Sequence, residues 1–568
     1  MAQTKVPTET ERVHQLQKHF SYLEKERSNW SSGIWQDIAD YVCPIREDLQ
    51  GTDQAGKIQG IKAYDGTAIY AVNLAADGTH GYMINPATEW LDLRLPRRLR
   101  QFEKEPSVRQ FIEDKKHVLY YAYQNSNFYS EMRTFLRDGF SIGTASLYPE
   151  RDIVSGKLAF NCLHPREGYI AEDKFGNVDT FFRKVKLTAR QAEQEFGIDK
   201  LSEPIKNSFK NNPYQTYTFL NAVFPRTDFN ARKLSSINKK YASIWCEFSG
   251  NKILKESGYD IFPYMVWRYS KSGGEVYGRS PAAFALPEIK SLNAIAKDLL
   301  GAAQMAVFPP LNVPSEMKGK VRLSPFGLNY MGSDFNRKIS PILTGSNFPV
   351  GREWMEAKQD IIEKHFDVDL FLMFQRAQKE MTAREIIERM GEKASVLSAR
   401  TGDLVNVLDS INDYVIYLET EAGNMPPLPD ILMDYGSPKL DYVYMGPLAQ
   451  AQKRLFETQG IRIGMETAMP IFQVQPETMD EINWGETVTQ LLISNGFPQT
   501  AFNTPDAKMA IRQARQQAQM EDKQKVDADL SADTMKKLAQ AMKNAGGTAG
   551  VKEIMAMLAG ADGGAEGV

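Results

Sequence analysis

Residues 281–307 have the sequence PAAFALPEIKSLNAIAKDLLGAAQMAV. Apolar side chains recur there every three or four positions, which predicts a helix with one broad apolar face. Phe308-Pro309-Pro310 ends this helix, because proline has no backbone N–H and fixes φ. We expect the rest of the chain to be arranged around it. The apolar face comprises Ile289, Leu292, Ile295, Ala296, Leu299, Ala303 and Val307, and a narrow polar stripe comprises Lys290, Asn293, Lys297, Gly301 and Gln304.

A protruding hairpin is expected after this helix. Residues 321–342 have the composition of β-strands, interrupted by proline and glycine at turn positions. Helical spacing resumes from Glu353 to Phe366. Two helices therefore bracket the hairpin.

A very long helix follows. Thr382-Ala-Arg-Glu385 is a capping box, in which the threonine hydroxyl and the glutamate carboxylate each accept a hydrogen bond from a free backbone N–H of the first turn. The apolar periodicity behind it continues to Glu421. At ~1.5 Å rise per residue, this helix would be roughly 55 to 60 Å long. Gly391 and Gly402 are the expected bend points.

The first 280 residues mix the two periodicities, so the predicted fold class is α+β. Capping boxes at Thr8–Glu11 and Thr188–Gln191 open two helices, and the segment Pro204–Gln215 is polar enough to predict a loop. A small mixed sheet is expected. Further helices are predicted at 32–42, 63–84, 107–122 and 127–138, and strands at 91–95, 146–148, 158–163, 169–171, 180–187, 216–224, 241–248 and 264–269. Past Pro429, short strands are predicted around 442–445 and helices at 448–460, 480–495, 506–526 and 532–544.

Composition limits the classes of function. The 568 residues allow several domains or one elongated subunit, and the net charge of −3 gives no global attraction to nucleic acid or anionic lipid. The cysteines Cys43, Cys162 and Cys246 are far apart, which favours small buried side chains over a metal site. No apolar run reaches the ~18 residues of a membrane span. We expect a soluble intracellular protein without a membrane partner.

No motif in the sequence predicts catalysis or a cofactor. Ser155-Gly156-Lys157 has the glycine and lysine of a phosphate loop but lacks its upstream glycine and its following hydroxyl. Asp367-Val368-Asp369 could hold a metal ion between two carboxylates, although a charged turn between helices explains it better. We therefore predict no catalytic residues, no metal and no cofactor.

Basic and aromatic residues mark three places of interest. Lys290 and Lys297 are seven residues apart, so they share one helical stripe and could face a phosphate backbone; a solvated helix face is the alternative. A basic cluster flanks the hairpin, at Lys318, Lys320, Arg322, Arg337 and Lys338. After the second helix, the apolar run Phe371, Leu372, Met373 and Phe374 is followed by Arg376 and Lys379, in a loop that could pack on a neighbouring copy or line an axis.

Taken together, several stretches resemble the portal, or head-to-tail connector, family of short-tailed bacteriophages. None is chemically diagnostic, but their order and separations are specific, and the resemblance covers residues 1 to about 515. The stretches are Tyr64-Asp-Gly-Thr-Ala68, Leu74-Ala-Ala-Asp-Gly-Thr79, Pro86, Trp90-Leu-Asp-Leu93, Phe135-Leu136, Gly143-Thr-Ala-Ser-Leu-Tyr148, Tyr277-Gly-Arg-Ser-Pro281, Leu286-Pro-Glu-Ile-Lys-Ser-Leu-Asn293, Thr382-Ala-Arg-Glu385 and Gly446-Pro-Leu-Ala-Gln-Ala-Gln452.

The resemblance implies an elongated subunit with long central helices, a β-containing wing and clip, and a mainly helical crown. It assigns residues 1–280 to the wing, 281–307 and 353–366 to two stem helices, 308–352 to the clip, 367–380 to the tunnel loop, 381–423 to the long wing helix, and 424–515 to the wing return and crown. Residues 516–568 are expected to form a partly flexible helical tail.

The resemblance also implies a ring at one capsid vertex, usually of twelve copies, through which double-stranded DNA is packaged and ejected. Its implied partners are the terminase packaging motor, tail adaptors, and the major capsid and scaffolding proteins, and it implies assembly in the host cytoplasm and residence in the virion. The channel would be lined by Lys290, Lys297, Arg376 and Lys379, with a constriction at Phe371–Phe374. An internal virion or scaffolding protein without a channel is the alternative.

Overall fold

The computed structural model describes residues 8–50, 56–152, 155–229, 235–248, 250, 252–307, 311–312, 340–341, 348–372, 402–436 and 438–445. It divides the chain into two compact units, residues 1–451 and 452–568. In the second unit, the described residues, 485, 488, 509–518, 520, 536, 537 and 540, are helical.

The N-terminal helix begins where its capping box predicts. The N–H of Glu11 donates to the Thr8 hydroxyl, and the N–H of Thr8 donates to the Glu11 carboxylate. Val13, Leu16 and Phe20 of this helix are buried in a cluster with sheet residues. The predicted helices of the first half are confirmed as α1 (Glu9–Ser31), α2 (Ile34–Tyr41), α3 (Thr67–Met83), α4 (Pro106–Gln124) and α5 (Phe128–Ser141).

Two antiparallel sheets replace the single mixed sheet that we expected. One has the strand order β3-β2-β9 and the other β4-β5-β6-β7-β8. The strands are β1 (Leu91–Arg94), β2 (Thr144–Arg151), β3 (Leu158–Leu163), β4 (Gly168–Glu172), β5 (Val178–Thr188), β6 (Thr216–Pro225), β7 (Tyr241–Glu247), β8 (Ile253–Tyr259) and β9 (Met265–Arg268). The edge strand β8 was not predicted.

The prediction of a loop at Pro204–Gln215 was wrong. After the confirmed capping box and helix α6 (Ala189–Phe196), residues Glu203–Asn211 form helix α7. Pro204 lies in its first turn, where a missing N–H costs no helical hydrogen bond. Ile205 is buried and Phe209, one turn later, packs on the same cluster. This single apolar stripe outweighs the polar residues between.

The central stretch forms helix α8 (Pro281–Val307), with the bounds that the sequence predicts. Strands β10 (Leu311–Asn312) and β11 (Ser340–Pro341) pair antiparallel, as the base of a hairpin would. Helix α9 (Phe348–His365) begins five residues before the predicted start, and the short helix α10 (Val368–Leu372) follows. Residues 313–339 lie outside the described part of the chain.

Of the predicted long helix, residues 382–401 lie outside the described ranges and Gly402–Glu421 forms helix α11. Its predicted apolar seam is buried at Leu404, Leu408, Ile411 and Val415. Helix α12 (Asp430–Met433) and strand β12 (Asp441–Tyr444) complete the described fold, and β12 pairs antiparallel with β1.

A buried ion pair fastens the segment after α2 to helix α5. The Asp138 carboxylate is fully buried, and the Arg46 guanidinium donates to both of its oxygens at 3.0 and 2.7 Å. Burial and the neighbouring Asp138 charge raise the pKa of the Cys43 thiol to about 11. All three cysteines are free; Cys43 and Cys246 are buried, as expected of small core side chains, and Cys162 is partly buried.

Replacing Arg46 by alanine should destabilise the protein strongly, because it leaves the Asp138 charge buried without a partner. We expect a loss of about 3–5 kcal/mol in the free energy of unfolding, measured by urea denaturation. Arg133→Ala is the matched control, since the Arg133–Asp77 pair is solvent-exposed and should be worth about 1 kcal/mol or less. Equal losses in the two variants would contradict the structural role of the buried pair.

Candidate functional site

Helices α8 and α9 form an antiparallel pair. Lys358 of α9 makes an ion pair with Glu288 near the start of α8. At the far end, Gly351 lies against Leu299, and a Cβ on Gly351 would lie only 2.7 Å from the leucine Cδ2. A larger residue at position 351 would require the Leu299 side chain to shift, and the two helices are in contact along much of their length.

Within the described part of the chain, the first half of α8 is embedded in the core and its last two turns are not. Ile289 and Leu292 are fully buried, as their place on the predicted apolar face requires. Leu300, Met305 and Val307, in contrast, are 52%, 55% and 69% exposed. The described part of one chain therefore leaves the last two turns of α8 uncovered by apolar partners.

The backbone fixes where α8 starts. At Gly143 (φ +93°), a Cβ would lie 2.5 Å from the carbonyl oxygen of Gly278, and a Cβ on Gly278 would lie 2.4 Å from that of Gly143. The buried Ser280 accepts a hydrogen bond from the N–H of Ala283 and donates one to the carbonyl of Ser141. The stretch that begins at Gly143 and the stretch that ends at Pro281, both part of the family resemblance, therefore contact each other through their backbones.

The two lysines predicted for a DNA channel lie on one flank of α8. Lys290 Nζ is 2.5 Å from a carboxylate oxygen of Asp37 in α2, and both side chains are nearly half exposed. Lys297 Nζ lies 5.8 Å from the centre of the Tyr64 ring. Both ammonium groups remain accessible, and their role in a channel stays a prediction.

Asn293 does not belong to the exposed polar stripe on which the sequence analysis placed it. Its side chain is 5% exposed and its carbonyl oxygen accepts hydrogen bonds from the N–H groups of Tyr64 and Asp65, at 2.7 and 3.1 Å. Gln359 of α9 donates to the Asp65 carboxylate at 2.9 Å. The helix pair therefore holds the segment that enters α3, and a buried amide satisfies two backbone donors that would otherwise be unpaired.

The predicted constriction begins with a side chain that packs within its own subunit. Asp367 has a positive φ of 56°, which turns the chain from α9 into α10. The Phe371 ring then lies against Gly78 of α3, where a Cβ would approach it to 2.2 Å, and Leu372 is partly buried nearby. Met373, Phe374, Arg376 and Lys379 lie outside the described residues, as do Lys318, Lys320, Arg322 and Arg337.

A hydrogen-bonded network ties α11 to the β1–β12 pair, and the sequence analysis did not foresee it. Tyr123 donates to the Asn412 amide oxygen at 2.5 Å, Asn412 donates to the Tyr444 hydroxyl at 3.0 Å, and Tyr444 donates to Asp409 at 2.7 Å. Burial, reinforced by the Asp409 carboxylate, raises the pKa of Tyr444 well above its usual value. The Tyr444 hydroxyl therefore stays protonated and remains a hydrogen-bond donor in this network.

Candidate chemistry elsewhere has structural explanations. Gly139-Phe-Ser-Ile-Gly143, which was missed in the search for sequence motifs, has the spacing of a nucleophile elbow. Ser141 is buried at the end of a helix, however, and its hydroxyl donates to the Arg137 carbonyl. A cavity of about 560 Å³ lies between α11 and β9, and two of its three acidic residues, Asp260 and Asp413, are ion-paired with lysines. Within the described ranges, no three His, Cys, Asp or Glu side chains are grouped so as to hold a metal ion. Nor is any described helix long and apolar enough to cross a membrane.

These observations define an α+β protein in which an antiparallel helix pair is joined to a core of helices and two antiparallel sheets. The model of the bacteriophage head to tail connecting protein family matches residues 13–502, so the chain belongs to that family. The chain is also 27% identical over 534 residues to the portal protein of Salmonella phage epsilon15, covering 89% of this chain and 91% of that one. It is 27% identical over 541 residues to a probable portal protein of Bordetella phage BPP-1, covering 92% and 94%.

Replacing Asn293 by leucine should expose the amides of Tyr64 and Asp65 to exchange, because both lose their acceptor. We expect a destabilisation of about 1–3 kcal/mol, the cost of leaving a buried donor unsatisfied, and faster hydrogen exchange confined to the entry of α3. Gln304→Leu, an exposed position of the same helix, is the control and should leave that exchange unchanged. Unchanged protection in the Asn293 variant would show that other groups hold the α3 entry.

Proposed function

We propose that this chain is a portal protein, a structural subunit that forms a ring at one capsid vertex. The ring is the channel through which double-stranded DNA is packaged and ejected. The observation that carries the proposal is the match of the connector family over residues 13–502, together with two relatives of nearly equal length that are described as portal proteins.

The helix pair supports a channel on physical grounds. The exposed apolar side chains at the end of α8 need a partner, and a neighbouring copy of the same helix pair would supply one. Twelve helices at ~10 Å spacing form a ring roughly 38 Å across, with about 28 Å clear inside. A duplex about 20 Å wide passes through that opening, whereas a ring of about nine helices would leave only ~19 Å and block it.

We assign the parts of the subunit to the regions of a portal protein as follows. Helices α8 and α9 form the stem, residues 308–352 the clip, and residues 367–380 the tunnel loop. Residues 1–280 and 381–423 form the wing, and residues 424–515 the wing return and crown. The clip docks the packaging ATPase during filling and the tail adaptors afterwards. The wing and crown contact capsid and scaffolding proteins, so the finished ring resides in the virion.

Lys290 and Lys297 are proposed to face the channel, with Arg376 and Lys379 at the constriction. Sparse lysines would guide DNA without holding it, because each phosphate contact adds binding energy that a moving duplex must release. The Lys290–Asp37 ion pair supports this view, since it lowers the net charge that Lys290 presents.

Electron microscopy of the purified full-length protein tests the proposal. Hollow rings with a central opening wide enough for a duplex are expected. Solid particles or monomers at micromolar concentration would favour an internal virion or scaffolding protein without a channel.

Replacing both Lys290 and Lys297 by glutamate should leave the rings intact but reduce the DNA packaged into heads, by on the order of tenfold. The reason is repulsion between a ring of carboxylates and the phosphates. DNase-protected DNA per head is the measurement. Lys200→Glu with Lys210→Glu is the charge-matched control, because both lysines are exposed away from α8. Loss of the rings themselves would instead place Lys290 and Lys297 at the interface between copies.

A further inference from the structure

Residues 94–109 carry an unusual concentration of positive charge. The stretch RLPRRLRQFEKEPSVR has six basic side chains and two acidic ones, a formal charge of +4, in a chain whose net charge is −3. The basic residues are Arg94, Arg97, Arg98, Arg100, Lys104 and Arg109, and all of them are exposed. We call them the arginine patch.

The backbone explains why the arginines point outward. Residues Arg97–Lys104 form a 3₁₀ helix, in which side chains three positions apart lie on the same face. Leu99 is buried and Phe102, three residues later, packs 5.7 Å from the Tyr435 ring, so one face is turned to the protein. The other two faces carry Arg97 with Arg100, and Arg98 with Lys104.

The subunit itself does little to neutralise the patch. No described residue makes a hydrogen bond or ion pair with the side chains of Arg94, Arg97 or Arg98. Glu103 accepts a hydrogen bond from the N–H of Leu95 at 2.8 Å, which directs its carboxylate toward the backbone. Arg100 reaches Asp441 at 3.4 Å in an exposed pair, a contact of little energy.

We propose that the arginine patch is a second DNA-binding surface, separate from the channel, that holds the phosphate backbone of duplex DNA. Guanidinium groups bind phosphate through two parallel N–H donors, and arginine rather than lysine makes up five of the six positions. The 3₁₀ helix spaces Arg97 and Arg100 at ~6 Å along its axis, so they form a row rather than a single point.

The chemistry favours a phosphate backbone over base edges or a folded protein partner. None of the large exposed apolar side chains lies in residues 94–109, so the stretch offers no ring for base stacking and no anchor of the kind that protein interfaces use. Contacts with phosphate alone carry no sequence information, so binding should be independent of DNA sequence.

Binding of relaxed, covalently closed circular plasmid to the full-length protein tests this inference, because a closed circle cannot thread a ring. The variant Arg94→Gln/Arg97→Gln/Arg98→Gln should bind the plasmid more weakly. The logarithm of the DNA association constant falls linearly with the logarithm of the salt concentration, and loss of three phosphate contacts should make this slope less steep by about 2.7. The control Arg190→Gln/Lys200→Gln/Lys210→Gln removes the same charge from exposed positions on α6, α7 and the turn between them, and should bind like the wild type.

Two results would overturn the inference. Equal binding of plasmid by the patch variant and the wild type would show that the arginines do not contact DNA. Poly-L-glutamate that binds the patch as tightly as the plasmid does would identify an acidic protein segment as its partner. Electron microscopy of the same variants shows whether they still form rings. This measurement tests the channel separately from DNA binding by the arginine patch.

Discussion

The structure depends on how the first half of α8 is held in the subunit. Two chain segments touch backbone to backbone at Gly143 and Gly278, a distance that no side chain would permit. Ser280 then caps the helix, and Ile289 and Leu292 are buried beyond it. Each buried aliphatic side chain contributes about 1.5–3 kcal/mol. The base of the helix is fixed in this way, whereas the described residues leave the apolar side chains of its last two turns exposed.

Polar contacts then link α8 and its partner α9 to the segment that enters α3. Asn293 and Gln359 bind the entry of α3 from the two members of the helix pair. Phe371 rests on Gly78 of the same helix, α3, from the far end of α9. Helix α3 therefore contacts α8, α9 and α10. A displacement of the segment after α9 would be transmitted through α3 to the α8–α9 pair.

The two basic surfaces of the subunit, the α8 flank and the arginine patch, differ in their density of positive charge. The α8 flank presents two separated lysines, one of them ion-paired with Asp37. The 3₁₀ helix presents three arginines within eight residues, of which only Arg100 pairs with a carboxylate among the described residues. Attraction to phosphate grows with the number of cations that contact it together, so the two proposals predict tighter DNA binding at the arginine patch than at the two lysines of α8. The net charge of the whole chain conceals this difference.

The sequence by itself determined the elements whose signals are local. Capping boxes at Thr8 and Thr188 placed two helix starts to the residue, because the bonds involved span only three positions. Proline after Val307 set the end of α8, and the apolar seam of α11 was read correctly. Helix α7 was missed because two apolar residues in a polar segment give a weak signal.

Only the tertiary structure decided which side chains meet across long separations. Asn293 looked like one polar residue on a solvated stripe, and its burial follows from the segment 64–65 that packs over it. The pairing of Arg46 with Asp138 and the contact of Phe371 with Gly78 are of the same kind. The physical reason is that periodicity reports which face of an element is apolar, whereas the packing of the whole chain determines which side chains meet when they are about ninety to three hundred residues apart.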